Sequence, residues 1–284
     1  MKRKINRVLI IVNRLKNEAD RIISEIREYL GQRDIESDIF STEDRNTRLD
    51  CTRVDLAFSL GGDGTVLFSA RLLAPHKIPI LPVNLGNFGF ITEVSKTEWV
   101  SAFEKFYHGE LGVGEHLMIK VGVQRNGDEV ISFTGLNDGV ISAAGISKIV
   151  RLYISLKSTR LGEYRADGVI IATPTGSTAY SAAAGGPILD PEMEAMIINP
   201  ICPFTLSNRP LVVQGDEKIY VEIGDKQRTS LILTIDGQNV FPLQPNDIIE
   251  FRKAEEKALI IHSDKRNFYE ILRTKLNWSG GPDA

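Results

Sequence analysis

Arg7–Asn13 reads RVLIIVN, a continuous apolar run of the kind shown by parallel strands buried on both faces. From Lys16 to Leu30 the period changes. Ala19, Ile22, Ile23, Ile26, Tyr29 and Leu30 recur at helical spacing, and Gly31 ends the pattern. Asp38–Ser41, Asp55–Leu60 and Ile78–Asn84 read as further strands, and Val66–Ala74 as a helix stopped by Pro75. Strands alternating with helices predict a parallel sheet covered by helices. In such sheets ligands bind beyond the carboxyl ends of the strands. Two glycine clusters stand at such ends: Gly61-Gly62-Asp63-Gly64-Thr65 and Gly86-Asn87-Phe88-Gly89.

After a predicted helix over Trp99–Tyr107 the texture becomes β-rich. Met118–Arg125, Glu129–Thr134, Gly139–Ser142, Arg151–Ser158, Val169–Thr173, Lys218–Ile223 and Ser230–Ile235 are short strand-like runs. Asn126-Gly127-Asp128 and Asp236-Gly237 punctuate them as turns. From Asn267 to Trp278 helical spacing returns through Phe268, Ile271, Leu272 and Leu276. The pattern predicts an α/β domain over 1–97, a β-rich domain over 98–264, and a C-terminal helix in 265–284 that packs back on the first domain.

Composition narrows the function classes. The 284 residues carry 34 Lys+Arg against 37 Asp+Glu, a net charge of −3, with 42% hydrophobic residues. The apolar content excludes a disordered chain. The small negative charge argues against a broad electrostatic surface for nucleic acid, so no nucleic-acid partner is expected. Cys51 and Cys202 are too few and too far apart for a disulfide scaffold and read as reduced thiols. Val8–Val12 is followed at once by the charged segment Arg14–Asp20, unlike a signal peptide. The uncharged stretch Gly168–Leu189 is broken by prolines and glycines, unlike a membrane span. A cytoplasmic protein with no membrane partner is expected.

Three segments carry candidate chemistry. In the first, the glycines of Gly61-Gly62-Asp63-Gly64-Thr65 allow close backbone approach, and N–H groups at a helix start suit phosphate. A carboxylate there would repel phosphate. Asp63 therefore reads as a proton acceptor or a partner for a metal or a sugar hydroxyl, or else as the N-cap of a tight strand-to-helix turn. Neither the GxxxxGK[ST] nor the GxGxxG pattern occurs, so the usual NTPase and dinucleotide readings do not apply. The second segment contains Ala166-Asp167-Gly168, Thr173-Pro174-Thr175-Gly176-Ser177-Thr178-Ala179-Tyr180-Ser181 and Gly185-Gly186-Pro187. It offers many donors and acceptors to a polar ligand, or forms a Ser/Thr-rich turn capping a helix. The third, Leu136-Asn137-Asp138-Gly139, either binds ribose hydroxyls or forms an Asx turn. The four histidines (His76, His108, His116, His262) are scattered and read as structural or surface residues, and no metal-ligand cluster is visible.

Taken together and in order, these segments resemble the NAD kinase family. The resemblance extends through Asn84-Leu85-Gly86 with Gly89-Phe90, Ala184-Gly185-Gly186-Pro187-Ile188, Ile201-Cys202-Pro203, Leu206-Ser207-Asn208-Arg209-Pro210 and Asp236-Gly237-Gln238. In the tail, Phe268-Tyr269 and Leu272-Arg273-Thr274-Lys275-Leu276 look like the bacterial members. The resemblance implies an α/β N-terminal domain with a parallel sheet plus a C-terminal β-sandwich. It also implies phosphoryl transfer to the adenosine ribose 2′-hydroxyl of NAD, giving NADP and ADP, with ATP or polyphosphate as donor and Mg²⁺ or another divalent cation bridging the phosphates of ATP.

Carried over residue by residue, Asp63 matches the catalytic Asp, the general base, and Gly61, Gly62, Gly64 and Thr65 would cradle the donor phosphates, with Gly64 also at the substrate. Asn137 and Asp138 would bind ribose and amide groups, and Asp167, with Arg165 beside it, the nicotinamide half. Thr178, Ala179, Tyr180, Ser181, Ala182 and Ala183 would wall the pocket. Gln238 would add a polar contact. Lys148 would reach in from a neighbouring subunit of a homo-oligomer, a tetramer or dimer, or else be a solvated strand-edge charge. One position departs from the pattern: Phe204 stands where the family usually has His, which keeps an aromatic face and loses a hydrogen bond. Diacylglycerol and sphingosine kinases share a similar GGDG turn but would not explain Asn137-Asp138 or Thr173–Tyr180. A non-catalytic dinucleotide sensor would leave the intact Asp63 unexplained.

Overall fold

The computed structural model describes residues 2–16, 18–44, 49–86, 89–145, 149–157, 159–205, 207–227 and 229–277. The chain forms two compact units. One comprises residues 1–115 and 258–284, the other 116–257.

The first unit begins β1 (Arg7–Val12), α1 (Ala19–Gly31), β2 (Glu36–Ser41), β3 (Leu56–Gly61), α2 (Asp63–Leu73), β4 (Ile80–Asn84), β5 (Val94–Ser95), α3 (Trp99–Tyr107). Its sheet runs β2-β1-β3-β4, every pair parallel. Val8 lies opposite both Ser37 and Leu56, which places β1 inside the sheet. That position explains its unbroken apolar run, since a strand covered on both faces has no solvent side to make polar. The apolar stripe of α1 (Ala19, Ile22, Ile23, Ile26, Leu30) is buried. The helix starts at Ala19 rather than at Lys16 and ends one residue later than the expected Leu30. α3 sends Trp99, Ala102, Phe103 and Phe106 into the same core as Phe58 and Ile26. This packing explains why the first unit runs to residue 115, past the 97/98 boundary expected from sequence.

The second unit holds β6 (Val113–Arg125), β7 (Asp128–Gly135), β8 (Asp138–Ala143), β9 (Val150–Leu156), β10 (Thr159–Ala166), β11 (Gly168–Ala172), the short α4 (Tyr180–Ala183), β12 (Ala195–Ile201), β13 (Leu211–Gln214), β14 (Ile219–Ile223), β15 (Leu231–Ile235), β16 (Asn239–Leu243) and β17 (Ile248–Ile261). β6 begins, and β17 ends, in the first unit, where Ile260 pairs in parallel with Ile80. One antiparallel sheet runs β13-β12-β11-β8-β15-β16. In the other, β10, β9, β14 and β17 are successive neighbours and β6 pairs β17 and β7. The facing sides share one core, with Ile141, Ile171, Ile198 and Leu233 from the first sheet and Ile154, Val221, Phe251 and Val121 from the second. Period-2 strands such as β14 bury Ile219, Val221 and Ile223 and leave Glu222 exposed. Asn126-Gly127 and Asp236-Gly237 have positive φ at both residues (55° and 93°; 51° and 65°), the geometry of two-residue hairpin turns.

α5 (Phe268–Lys275) returns the chain to the first unit. The Asn267 side chain accepts from Glu270 N–H while Glu270 accepts from Asn267 N–H, a full capping box. Upstream, Arg266 grips Glu98 through two nitrogens, at 2.8 and 3.0 Å, and the pair holds the Glu98 carboxyl far below the usual carboxylate range. No described helix is long and apolar enough to cross a membrane.

Candidate active site

The glycine turn of the first unit is the junction of β3 and α2. Gly61 ends the strand and Gly62 caps the helix with extended dihedrals, φ −121° and ψ −170°. A Cβ at Gly61 would lie 2.1 Å from the Thr65 hydroxyl, so the turn closes only on glycine. Thr65 is buried, and its N–H bonds the Gly62 carbonyl at 2.9 Å. It underpins the turn from within the helix, while Gly64 is exposed.

Asp63 is the first residue of α2, so the N-cap alternative does not hold. Its carboxylate leaves the helix and is seized by the segment after β4. Oδ2 accepts from Phe90 N–H at 2.8 Å. Oδ1 accepts from Ile91 N–H at 3.2 Å, Thr92 N–H at 3.1 Å and the Thr92 hydroxyl at 3.0 Å. Behind it, Asn84 Nδ2 donates to Thr92 Oγ1 at 2.8 Å, and Gly89 N–H donates to the same oxygen at 3.0 Å. A Cβ at Gly89 would stand 1.7 Å from Asp63 Oδ1. The Asp63 carboxylate of the first glycine cluster is thus cradled by residues 89–92, the segment that begins at the last glycine of the second. Oδ1 is crowded by three donors and Oδ2 takes one, so Oδ2 keeps room to accept a proton from a ligand hydroxyl.

In the second unit, Asn137 immediately precedes β8, Asp138 is the strand's first residue, and both are buried. Asp236, from the Asp-Gly hairpin turn, accepts from Leu136 N–H (3.0 Å), Asn137 N–H (2.7 Å) and Asp138 N–H (3.3 Å). Thr173 clamps the same segment from β11's end, its hydroxyl on Leu136 O and its N–H on Asn137 O. A Cβ at Gly176 would strike Asn137 O at 2.1 Å. Asn137 Oδ1 is buried with no hydrogen-bond partner. The Asp138 carboxyl is pushed up to about 7, first by burial and then by the charge of Asp236. A buried orphan acceptor beside a carboxyl poised near neutrality is costly unless something donates to it.

The hydroxyl-rich run is spent largely on itself. Ser177 Oγ exchanges bonds with Leu189 O and N, and Thr178 Oγ1 donates to Thr175 O. Thr175 Oγ1 lies 3.0 Å from His116 Nδ1, which ties that buried histidine to the loop. Ser181 receives Asn199 Nδ2 on its carbonyl and its hydroxyl, at 2.9 and 3.2 Å. Each of these hydroxyls has a partner within the protein. A hydroxyl withdrawn from water must bond, and the partners here are backbone groups for Ser177 and Thr178 and the side chains of His116 and Asn199 for Thr175 and Ser181. What the run presents outward is Tyr180, 48% exposed, with Ala183 exposed and Ala179 and Ala182 half-buried.

Arg165 is exposed, with its guanidinium 5.2 Å from the centre of the Phe204 ring, and Phe204 N–H bonds Arg165 O at 2.8 Å. Asp167 is half-buried at the β10–β11 junction, its N–H on Ile201 O. Gln238 is half-buried and follows the Asp236-Gly237 turn. Lys148 lies outside the described residues. Sequence reasoning missed Thr92, Asp236 and Asn199. Asp236 and its Asp-Gly turn were visible, and Thr92 lies two residues past a quoted Gly-Phe pair, but nothing local said which carboxylate each would meet. Among the described residues no group of three or more His, Cys, Asp or Glu could hold a metal ion.

The profile of the ATP-NAD kinase N-terminal domain matches residues 36–111, and that of the ATP-NAD kinase C-terminal domain matches residues 136–263. The NAD kinase of Treponema denticola is 40% identical over 277 residues, covering 97% of this chain and 98% of its own. That of Carboxydothermus hydrogenoformans is 44% identical over 224 residues, covering 79% of this chain and 80% of its own. Among solved structures, an Archaeoglobus fulgidus NAD kinase in complex with ATP superposes with a TM-score of 0.74 at 25% identity, over 96% of this chain and 99% of its own. Yeast NADH kinase complexed with NADH shares the fold, with a TM-score of 0.85 at 22% identity, over 98% of this chain and 89% of its own. The cradle around Asp63 and the Asn137-Asp138 pair lie inside the two matched profiles, and the chain belongs to the NAD kinase family.

Proposed function

We propose that the protein transfers a phosphoryl group from ATP, or from polyphosphate, to the adenosine ribose 2′-hydroxyl of NAD, giving NADP. The observation that carries this reading is the Asp63 carboxylate, oriented by Phe90, Ile91 and Thr92 with acceptor room left on Oδ2. A ribose hydroxyl attacks phosphorus only if its proton has somewhere to go, and a positioned carboxylate is such a base. The rest of the acceleration comes from positioning and charge neutralisation. Asn137 Oδ1 and the Asp138 carboxyl receive ribose hydroxyl or amide donors of NAD. Tyr180 stacks on a flat ring, Ala179, Ala182 and Ala183 let it approach, and Arg165 and Asp167 meet the nicotinamide half.

The donor phosphates lie at Gly61–Gly64, and a divalent cation such as Mg²⁺, brought with the donor rather than held by protein ligands, would neutralise their charge. The relative that binds ATP and the neighbour that binds NADH support a nucleotide and a dinucleotide as the two ligands. A cytoplasmic homo-oligomer, tetramer or dimer, completes the proposal.

The test is an assay of purified protein with NAD or NADH against ATP or polyphosphate, read by an NADP-specific dehydrogenase. Asp63→Asn should keep NAD binding and lose turnover. Absence of product in every pairing would overturn the reaction, and undiminished turnover in excess EDTA would overturn the divalent cation.

A further inference from the structure

The two oxygens of Asp63 are not held alike. Oδ1 has three donors, so losing one leaves two. Oδ2 has one, the Phe90 N–H, and Oδ2 is the oxygen left to take the substrate proton. Its direction therefore depends on where Phe90 sits. The Phe90 ring lies under the ammonium of Lys275, with Nζ 5.0 Å from the ring centre. Lys275 has no carboxylate partner among the described residues and is carried on the last turn of α5.

That helix is not a loose tail. Ile271 and Leu272 are buried, and the chain leading into it is tied down at several points. Arg266 bonds Glu98 and the Glu93 carbonyl, Ser263 N–H bonds Glu93, and Lys105 pairs with Asp264. Glu93 follows Thr92 directly, so the segment that holds Asp63 is gripped by the C-terminal chain at both ends: at Phe90 by Lys275, and at Glu93 by Ser263 and Arg266.

We propose that Lys275 is a positioning residue for the phosphoryl transfer, acting through the Phe90 ring and amide on Oδ2 of Asp63. The proposal rests on the base role given to Asp63 above. It assigns a task to the tail motif Leu272–Leu276, which the reaction itself leaves unused.

The test compares Lys275→Met, which keeps the stem and removes the charge, with Lys275→Arg, which keeps a cation over the ring, each also in a Phe90→Leu background. The expected result for Lys275→Met is a kcat lower by about two- to fivefold, the scale of one cation–π contact. KM for NAD and for the donor should be unchanged, Lys275→Arg should restore kcat, and no further loss should follow in Phe90→Leu. An unchanged kcat, a loss that Arg does not rescue, or additive losses in the double variant would overturn it. A rise in donor KM alone would also overturn it, since the lysine would then meet the donor directly. A second readout needs no turnover. Hydrogen exchange of the 89–92 backbone amides should quicken about two- to fivefold in Lys275→Met and not in Lys275→Arg, and equal exchange in all three proteins would reject the coupling even if the transfer reaction itself were not found.

Discussion

The Thr92 hydroxyl donates to Asp63 Oδ1 at 3.0 Å, and its direction is forced. Its oxygen already accepts from Asn84 Nδ2 and from Gly89 N–H, which uses both lone pairs and leaves the proton for the carboxylate. Thr92→Val removes the donor and strands two others. The expected outcome is a loss of about 1–3 kcal/mol in unfolding free energy, from the unsatisfied Asn84 and Gly89 donors. A kcat reduced on the order of tenfold, with little change in NAD affinity, should accompany it, since one of four bonds orienting the base is gone. Thr92→Ser should recover both quantities. Denaturant titration and steady-state kinetics check this.

Gly89→Ala introduces a methyl 1.7 Å from Asp63 Oδ1 and 2.2 Å from its Cγ. Either the carboxylate or the loop must move by an ångström or more. Turnover should fall on the order of 100-fold. Gly31→Ala is the control: nothing lies within 4 Å of its new Cβ, and it sits in a helix. It should leave kcat unchanged and shift stability by less than about 1 kcal/mol, since Gly31 is the last residue of its helix. Equal kinetics in the two variants would contradict the cradle.

The Asp138 carboxyl is pushed up to about 7 from 3.8, mainly by burial. The folded state therefore binds its proton more tightly than the unfolded chain does between those values. The sign follows: this group's contribution favours folding below about pH 4, declines as pH rises through 4 to 7, and is a constant penalty above that. Asp138→Asn removes the titration. Its thermal stability relative to the parent should be greater at pH 8 than at pH 5, by about 2–3 kcal/mol, since about two pH units of that interval lie below the folded value at 1.36 kcal/mol per unit. Parallel melting curves across this range would contradict the burial argument.

Phe204 is 68% exposed, with Arg165 stacked on it. Phe204→His and Phe204→Ala should each change stability by less than about 0.5 kcal/mol, as an exposed side chain does. KM for NAD should separate them. Ala removes the face that holds Arg165 and should raise KM about two- to fivefold, whereas His keeps a ring and should raise it less.

Much of this fold was legible one element at a time. The unbroken apolar run of β1 and the helical stripe of α1 follow from burial, which acts on each residue through its own hydrophobicity. The hairpins at Asn126-Gly127 and Asp236-Gly237 follow from backbone strain that only a few residue types tolerate. β5, β10, β12, β13, β16 and β17 were not read: β10 carries Arg160, Gly162, Glu163 and Arg165 along eight residues, and β12 is interrupted by Asn199 and Pro200, so neither shows a clean strand pattern. Of the candidate site, the sequence alone determined that Asp63 stands among glycines at a strand end and that Asn137-Asp138 stands just before a strand.

Only the tertiary structure decided what those groups do. A carboxylate among glycines can cap its own helix or reach across to another segment. Three backbone N–H groups at residues 90–92 outcompete the cap because they converge on one point. The hydroxyls of Thr173, Thr175, Ser177, Thr178 and Ser181 find backbone or side-chain partners within the protein, while Asn137 Oδ1 is left buried without one. Hydrogen bonds are short-ranged and directional. Which donor meets which acceptor is therefore set by where the chain brings residue 92 beside 63, or 236 beside 137, and no local pattern records that meeting.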